Sequence, residues 1–379
     1  MPIPLACFGS PSTLGGGGLD RLKDRGMTLT AKKVDPETAA LYRAAALMSK
    51  SALIDGRELQ EVYEAFFRGL TGPGLPQHMN QLARWALVRI GAYELADRLC
   101  DFATFGDWAL GSEFPIFLQQ LARVSMPEDR LALLEQHRRW ATRLEQKADR
   151  TVISPPAARK AGKLRVGLIS TGFDQIVGRF CLPLFEHRDP SVELYAYAVG
   201  SDGAGVLTAR LGPQSIFRQF VGVSALDAAK AIAEDDLDML IELDGLSGAH
   251  ALDIMAYRPA RRQASWLGYP HSTGLSAIDH IIVDPQLQTT LLLERPLTMP
   301  GSWIALPQSL FNDSQAIAAG TPEQRNGYLT FGTLNNPYKF TPKSLQTWAR
   351  ILKTSTSAWT PSRSPAARRP ANRCGWACR

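Results

Sequence analysis

The alternation of short apolar runs with helical patterns, from about residue 164 to residue 283, most constrains the fold of this chain. A helical pattern at Ala225–Ala233 and a shorter one at Ala249–Ala256 separate runs of strand length. Such alternation is typical of parallel strands joined by crossover helices, so the sequence predicts a Rossmann-like α/β layer. The predicted strands are Leu164–Ile169, Val192–Val199, Leu237–Leu243, Ala264–Leu267 and Ile281–Val283.

Ligands of parallel α/β sheets bind beyond the carboxyl ends of the strands. Three loops occupy this position in the predicted sheet, namely Ser170–Arg179, Asp244–His250 and Gly268–Gly274. The second loop offers Asp244 and His250 as a polar pair, although an aspartate after a strand is as often a helix N-cap. We expect any functional site of this layer to involve these loops.

The third loop lies between two apolar runs and has the densest set of reactive side chains. Gly268, Tyr269, Pro270, His271, Ser272 and Thr273 bring a phenol, an imidazole, two hydroxyls and glycine-freed backbone amides together. A histidine with a pKa near neutrality orients or deprotonates an acceptor hydroxyl, which makes His271 the candidate catalytic residue. The alternative is a loop histidine that only bonds to backbone groups.

The region before the sheet has a different character. Residues 1–34 are rich in glycine and serine and predict a flexible leader. Residues 35–150 predict a helical, tetratricopeptide-like domain that includes a charged helix at Glu128–Lys147, and Pro155 and Pro156 mark a linker at 151–162. One helix of this domain predicts a buried stripe at Leu59, Val62, Tyr63, Phe66, Phe67 and Leu70.

The segment Tyr328–Lys353 carries a second set of polar residues. We predict a strand at Leu329–Phe331, then a loop that contains Asn336 and Lys339. Thr341 stands where an N-cap belongs, and a helix follows with a predicted buried stripe of Leu345, Trp348, Ile351 and Leu352. A lysine and free amides at a helix entrance suit a phosphate group.

The composition and the absence of several motifs exclude some classes of function. The formal charge of +6 is concentrated in Thr354–Arg379, which holds five arginines and no acid, so the nearly neutral remainder argues against a nucleic-acid partner. No apolar run reaches membrane-span length, and the five scattered cysteines fit a reducing compartment, so we expect a cytoplasmic protein. The G-x-G-x-x-G, Walker A and H-E-x-x-H motifs are absent, which argues against dinucleotide, P-loop and zinc-protease sites.

Two blocks, RPARRQASWLGYPHSTGLSAIDHIIVDP and FGTLNNPYKFTPKSLQTWARILK, resemble the O-linked N-acetylglucosamine transferase and SPINDLY glycosyltransferases of family 41. That family shows RPAPIQxxWLGYPGTTGxxxIDYIIxD and FxxFNxLYKIxPxxLxxWxxIL at the matching places. The resemblance covers about Leu164–Lys353 and implies helical repeats joined to a two-lobed GT-B catalytic region. Residues 163–325 would then form the acceptor-side lobe, and residues 326–353 would begin the donor-side lobe.

The resemblance implies transfer of N-acetylglucosamine or glucose from a UDP donor to a protein side chain, with no metal or other cofactor. Lys339 would contact the donor diphosphate, and Asn336 occupies a donor-contacting position. The loop Tyr269–Thr273 would line the acceptor cleft. His271 replaces a small residue of the family, and the family's histidine in the loop after the first strand falls near Ile176 here. The proposed base of the family therefore has no direct counterpart.

After Lys353 the family pattern gives way to a stretch rich in Arg, Pro, Ser and Cys. We interpret residues 354–379 as the product of a frameshift or premature end in the donor-side lobe, with a natural disordered tail as the alternative. A truncated lobe leaves the activity of the chain open. The rival function is a non-catalytic protein-binding module that retains the helical domain and the acceptor lobe, and a dinucleotide-dependent α/β enzyme is a third reading.

Overall fold

The structure is a computed structural model that describes most of the chain after residue 116. The described residues are 117–153, 159, 161–171, 173, 176–199, 215–247, 250–287, 291–307, 319–333, 335 and 339–358, with 36, 40, 60–61, 63–65, 67–68 and 87 nearer the N-terminus. Most of the predicted leader and helical domain, residues 1–150, lies outside this set, and so do part of the linker and most of the predicted tail.

A seven-stranded, fully parallel sheet forms the centre of the described region, in the order β3-β2-β1-β4-β5-β6-β7. The predicted α/β layer is thus confirmed, and its sheet fits the expected Rossmann-like GT-B lobe. The strands are β1 (Leu164–Ser170), β2 (Val192–Val199), β3 (Ile216–Phe220), β4 (Met239–Glu242), β5 (Arg262–Ser265), β6 (His280–Val283) and β7 (Arg295–Thr298).

Seven α-helices are described around this sheet. They are α1 (Leu118–Leu121), α2 (Pro127–Glu145), α3 (Ile176–Glu186), α4 (Ala225–Glu234), α5 (Leu252–Ala256), α6 (Pro322–Asn326) and α7 (Pro342–Ala358). Helix α4 begins at Ser224, whose side chain accepts a hydrogen bond from the amide of Asp227, as expected of an N-cap. Its buried face of Ala228, Ala229 and Ile232 packs into the core.

The central strands are apolar because both faces of the sheet are covered. The last four residues of β1 and the middle five of β2 are buried. Continuous burial of this kind is characteristic of parallel strands between two helical layers. The outermost strand β7 is exposed along its length and carries Pro296, a residue that an edge strand tolerates.

The strand order reverses between β1 and β4. From β1 the chain adds β2 and β3 on one side, then returns to pair β4 with the other side of β1 and continues outward through β7. The carboxyl ends of β1 and β4, called the crevice below, are therefore the place where open α/β sheets bind ligands.

Helix α2 belongs to the same hydrophobic cluster as the sheet. Its residues Leu133, Trp140 and Ala141 are buried together with Tyr269 and Ile278 from the loop between β5 and β6. The charges predicted to be solvated do lie outward, since Glu135, Arg138 and Arg139 are exposed. The helix thereby covers the loop that follows β5.

Two local predictions in the segment 328–353 are wrong. Residues 329–331 form no strand, and Leu329 and Phe331 are 53% and 57% exposed, because no described strand pairs with them. Helix α7 starts as predicted, with Ser344 donating its amide to Thr341 Oγ1 at 3.1 Å, but it runs to Ala358. Two members of its predicted buried stripe are exposed, namely Ile351 and Leu352.

The stripe predicted near residue 60 also differs. Tyr63 and Phe67 are exposed and stack on each other at 5.8 Å, whereas Ala65 is buried. Periodicity alone placed the aromatic side chains inward. The remaining stripe residues lie outside the described set, so the tetratricopeptide-like domain stays a prediction.

Candidate functional site

Asp244 bridges the crevice between β1 and β4. It follows β4 and is 5% exposed. Its Oδ1 accepts a hydrogen bond from the Ser170 hydroxyl at 2.7 Å. Its Oδ2 accepts from the Thr171 amide at 2.7 Å and from the Thr171 hydroxyl at 3.1 Å. The aspartate thus ties the end of β1 to the end of β4.

Glu242, the last residue of β4, is fully buried beside this bridge. Its Oε1 accepts from the amides of Asp244 and Gly245, each at 3.0 Å, and its Oε2 accepts from the Gly245 amide at 2.9 Å. The two carboxyl groups lie two residues apart on one strand end. Carboxyl groups held so close in an apolar interior do not both ionise readily.

Burial sets the protonation of this pair. Burial first, and then the charge of Asp244, raise the pKa of Glu242 to about 8. Burial also raises the pKa of Asp244 to about 6, against the opposing effect of the hydrogen bonds from Thr171 and Ser170. Near neutral pH, Asp244 is therefore the ionised member and Glu242 the protonated one. Strongly perturbed groups in a crevice are typical of functional sites.

The loop after β5 lies in close contact with the residues that follow β4. A Cβ atom on Gly268 would lie 2.5 Å from the carbonyl oxygen of Leu243 and 2.7 Å from that of Asp244. Gly245 has a φ of 57°, and a Cβ atom there would lie 2.3 Å from the Cβ of Tyr269. Only glycine permits this approach of the two loops.

The predicted acceptor loop is buried under helix α2. The Tyr269 hydroxyl and His137 Nε2 form a hydrogen bond of 3.0 Å, and both side chains are buried. The amide and hydroxyl of Thr273 donate to Glu294 Oε1, each at 2.7 Å. Ser272 Oγ accepts from the amide of Leu293 at 2.9 Å. The structure thus brings Tyr269, Ser272 and Thr273 together as a packed polar cluster.

His271 lies in the same cluster with none of its surface exposed. Its Nδ1 accepts a hydrogen bond from the Ser272 amide at 2.8 Å, and its Nε2 is buried without a hydrogen-bond partner. Burial, and then the nearby charge of Arg130, lower its pKa to about 3. The pKa near neutrality expected from the sequence is therefore wrong for this arrangement, in which the imidazole is neutral.

The remaining predicted residues lie apart from this cluster. Of the acceptor loop, Pro270 is exposed and Gly268 is half-buried. Lys339 is exposed at the entrance of helix α7 and, within the described residues, makes no hydrogen bond to the acceptor loop. Asn336 lies outside the described residues.

Asp244 and His250 have different partners. His250 is buried, accepts from the Leu252 amide at 3.2 Å, and contacts the ring of Trp140 at 5.2 Å. Asp244 instead accepts hydrogen bonds from Ser170 and Thr171. The sequence therefore identified the correct loop but paired its residues wrongly.

Sequence reasoning missed Glu242, Glu294 and His137. Glu242 had a signal, since it is the one charged residue at the end of an otherwise apolar run in β4. Glu294 and His137 had none, because their contacts join segments 21 and 132 residues apart. Among the described residues, no three His, Cys, Asp or Glu side chains are grouped to hold a metal ion.

Within the described part of the chain, no helix is both long and apolar enough to cross a membrane.

Part of the chain matches a known protein family. Residues 144–295 match glycosyl transferase family 41, a range that includes the end of α2, strands β1 to β6 and all three strand-end loops. This stretch is therefore similar to the family 41 glycosyltransferases, as the first sequence block indicates. The second block lies beyond the matched range.

Several curated proteins are similar in sequence to this chain. A probable UDP-N-acetylglucosamine–peptide N-acetylglucosaminyltransferase SPINDLY of Hordeum vulgare is 33% identical over 232 residues, 58% of this chain and 24% of the relative. The SPINDLY protein of Arabidopsis thaliana is 31% identical over 231 residues, 58% of this chain and 25% of the relative. This chain spans about a quarter of the length of these relatives.

A solved structure shares the fold. A Thermobaculum terrenum O-GlcNAc transferase mutant superposes with a TM-score of 0.52 and 22% identity, covering 85% of this chain and 68% of that one. At this identity the likeness concerns the fold alone.

Proposed function

We propose that this chain is a UDP-sugar-dependent glycosyltransferase that transfers N-acetylglucosamine or glucose to protein side chains. The family 41 match over the sheet and its strand-end loops carries the proposal. The names of the SPINDLY relatives, which specify UDP-N-acetylglucosamine and a peptide, support the donor and the acceptor. The crevice at the strand-order reversal supplies a place for the chemistry.

In this proposal Lys339 and helix α7 receive the diphosphate of the donor. Lys339 is exposed one turn before the 17-residue helix, whose N-terminal end carries a partial positive charge, although Pro342 has no amide proton and the Ser344 amide donates to Thr341 Oγ1. The charge that develops on the leaving diphosphate would be stabilised by both. Asn336 is proposed as a further donor contact.

On the acceptor side we assign residues 268–273 to the wall of the cleft. His271 would act there as a neutral imidazole whose unpartnered Nε2 carries the proton and donates a hydrogen bond, because Nδ1 accepts from the Ser272 amide. Because helix α2 covers this loop, His271 reaches a substrate only when the helix shifts. We also propose that residues 35–150 form a repeat-like domain and residues 326–353 the start of the donor-side lobe.

The test is incubation of the purified chain with radiolabelled UDP-N-acetylglucosamine or UDP-glucose and an acceptor peptide library. We expect label in peptide. Peptide binding without label would instead establish the non-catalytic binding module. Thermal stabilisation by NAD and not by UDP would favour a dinucleotide enzyme.

A further inference from the structure

The hydroxyl of Thr171 connects the surface of the crevice to a buried carboxylate. Thr171 is half-buried, whereas Asp244 is 5% exposed and Ser170 is fully buried. The Thr171 hydroxyl lies 3.1 Å from Asp244 Oδ2. A group that approaches the crevice from solvent therefore meets Thr171 first, and Asp244 through it.

We propose that Asp244 accepts the proton of the acceptor hydroxyl through a relay by Thr171, a role that rests on the proposed function. As the acceptor oxygen bonds to the anomeric carbon, its proton passes to Thr171 Oγ1, and the proton of Thr171 passes to Asp244 Oδ2. The bond from the anomeric carbon to the diphosphate breaks, and its electron pair leaves with UDP. The relay thus applies to a side-chain hydroxyl as the acceptor.

Asp244 suits this role better than the other buried groups near the loops. Both oxygens of Glu242 accept hydrogen bonds from the backbone amides of residues 244 and 245. Arg130 and α2 surround His271, and its pKa is about 3. Asp244 is ionised above a pKa of about 6, so it is available as a base at neutral pH.

Among the residues that the structure describes, two titratable groups face Asp244 from the packed elements. Glu242 approaches it from β4, and the Cys181 thiol interacts with it from α3. Burial raises the pKa of Cys181 to about 12, so the thiol stays protonated. The Asp244 carboxylate is therefore the group of this cluster that a proton enters between pH 5 and 7.

A purely structural role is the alternative, because Asp244 also ties the loop after β1 to β4. Asp244→Asn separates the two roles. With its amide rotated, asparagine accepts from the Thr171 amide and donates to Ser170, so the bridge persists while the base is lost. Thr171→Val removes the relay at a half-buried site, and Thr171→Ser restores a hydroxyl.

The experiment measures kcat and KM for peptide glycosylation from pH 5 to pH 9, with melting temperature as a check on folding. Thr142→Val and Asp227→Asn serve as exposed matched controls. We expect Asp244→Asn and Thr171→Val each to lower kcat about a hundredfold with little change in KM. Thr171→Ser should recover most of the loss, and both controls should match the wild type.

In the wild type, kcat/KM should fall about tenfold per pH unit below pH 6, and Asp244→Asn should lack this acid limb. An unchanged acid limb in Asp244→Asn, or a kcat close to wild type in that variant or in Thr171→Val, overturns the relay. Those outcomes leave the proposed function standing as long as the wild type transfers sugar. A wild-type chain that transfers none refutes both.

Discussion

The pH dependence of stability should depend on Glu242. In the folded chain its pKa is about 8, above the ordinary value of 4.5, because burial and the charge of Asp244 oppose ionisation. Between these values the folded state keeps a proton that the unfolded state has lost. The unfolded state thus binds fewer protons, and the free energy of unfolding falls as pH rises through this window.

The magnitude follows from the pKa of this one carboxyl group. Each pH unit inside the window corresponds to about 1.4 kcal/mol. Asp244 adds a similar effect below its pKa of about 6, whereas His137 and His271, whose pKa values burial lowers, add the opposite effect around their ordinary value of 6.5. The comparison of the wild type with Glu242→Gln from pH 6 to pH 8 therefore isolates Glu242. Over that interval Glu242 lowers the free energy of unfolding by about 2–3 kcal/mol, a large share of the stability of an ordinary domain.

Glu242→Gln removes the titration and keeps the shape and one carbonyl acceptor for the amides of residues 244 and 245. Urea unfolding followed by tryptophan fluorescence at pH 6, 7 and 8 gives the free energy at each pH. We expect the wild type to lose stability relative to Glu242→Gln by about 2–3 kcal/mol across this range. Glu234→Gln, an exposed change on α4, should follow the wild type. Parallel pH profiles for wild type and Glu242→Gln would refute the reasoning.

Two further predictions concern the loop after β5, and both are checked by urea unfolding. Gly268→Ala places a methyl group 2.5 and 2.7 Å from two backbone carbonyl oxygens and should destabilise the chain by about 1–3 kcal/mol. Gly301→Ala, whose methyl group would have no atom within 4 Å, should leave the stability unchanged. Equal effects of the two substitutions would contradict the close approach of the loops. Tyr269→Phe leaves His137 Nε2 buried without its partner and should lower the free energy of unfolding by about 1–3 kcal/mol. In a His137→Phe background the same substitution should lower it much less. Additive losses would show that the two side chains are not coupled.

The sheet was predictable because its signal is local. Each central strand is a short apolar run, and the predicted bounds of Val192–Val199 agree with those of β2. The strand predicted at residues 329–331 does not form, because an apolar run becomes a strand only where a neighbouring strand pairs with it.

The site was predictable only to the level of its loops. The loops after β1, β4 and β5 do meet at the strand-order reversal, as the parallel topology requires. Burial of His271 was not predictable, because helix α2, more than 120 residues upstream, covers it. A Cβ atom on Gly274 would lie 2.5 Å from the carbonyl oxygen of His137, so the loop and the helix fit only in this packed form.

Binding of UDP, measured by titration calorimetry, tests the central claim most directly because it requires no knowledge of the acceptor. The account predicts that the chain binds UDP and that Lys339→Ala weakens binding about tenfold or more, the effect of losing a charge-assisted hydrogen bond to phosphate. Lys230→Ala, which changes an exposed lysine on α4, should bind as the wild type does. No binding of UDP by the wild-type chain, or equal binding by the Lys339→Ala and Lys230→Ala variants, would contradict it.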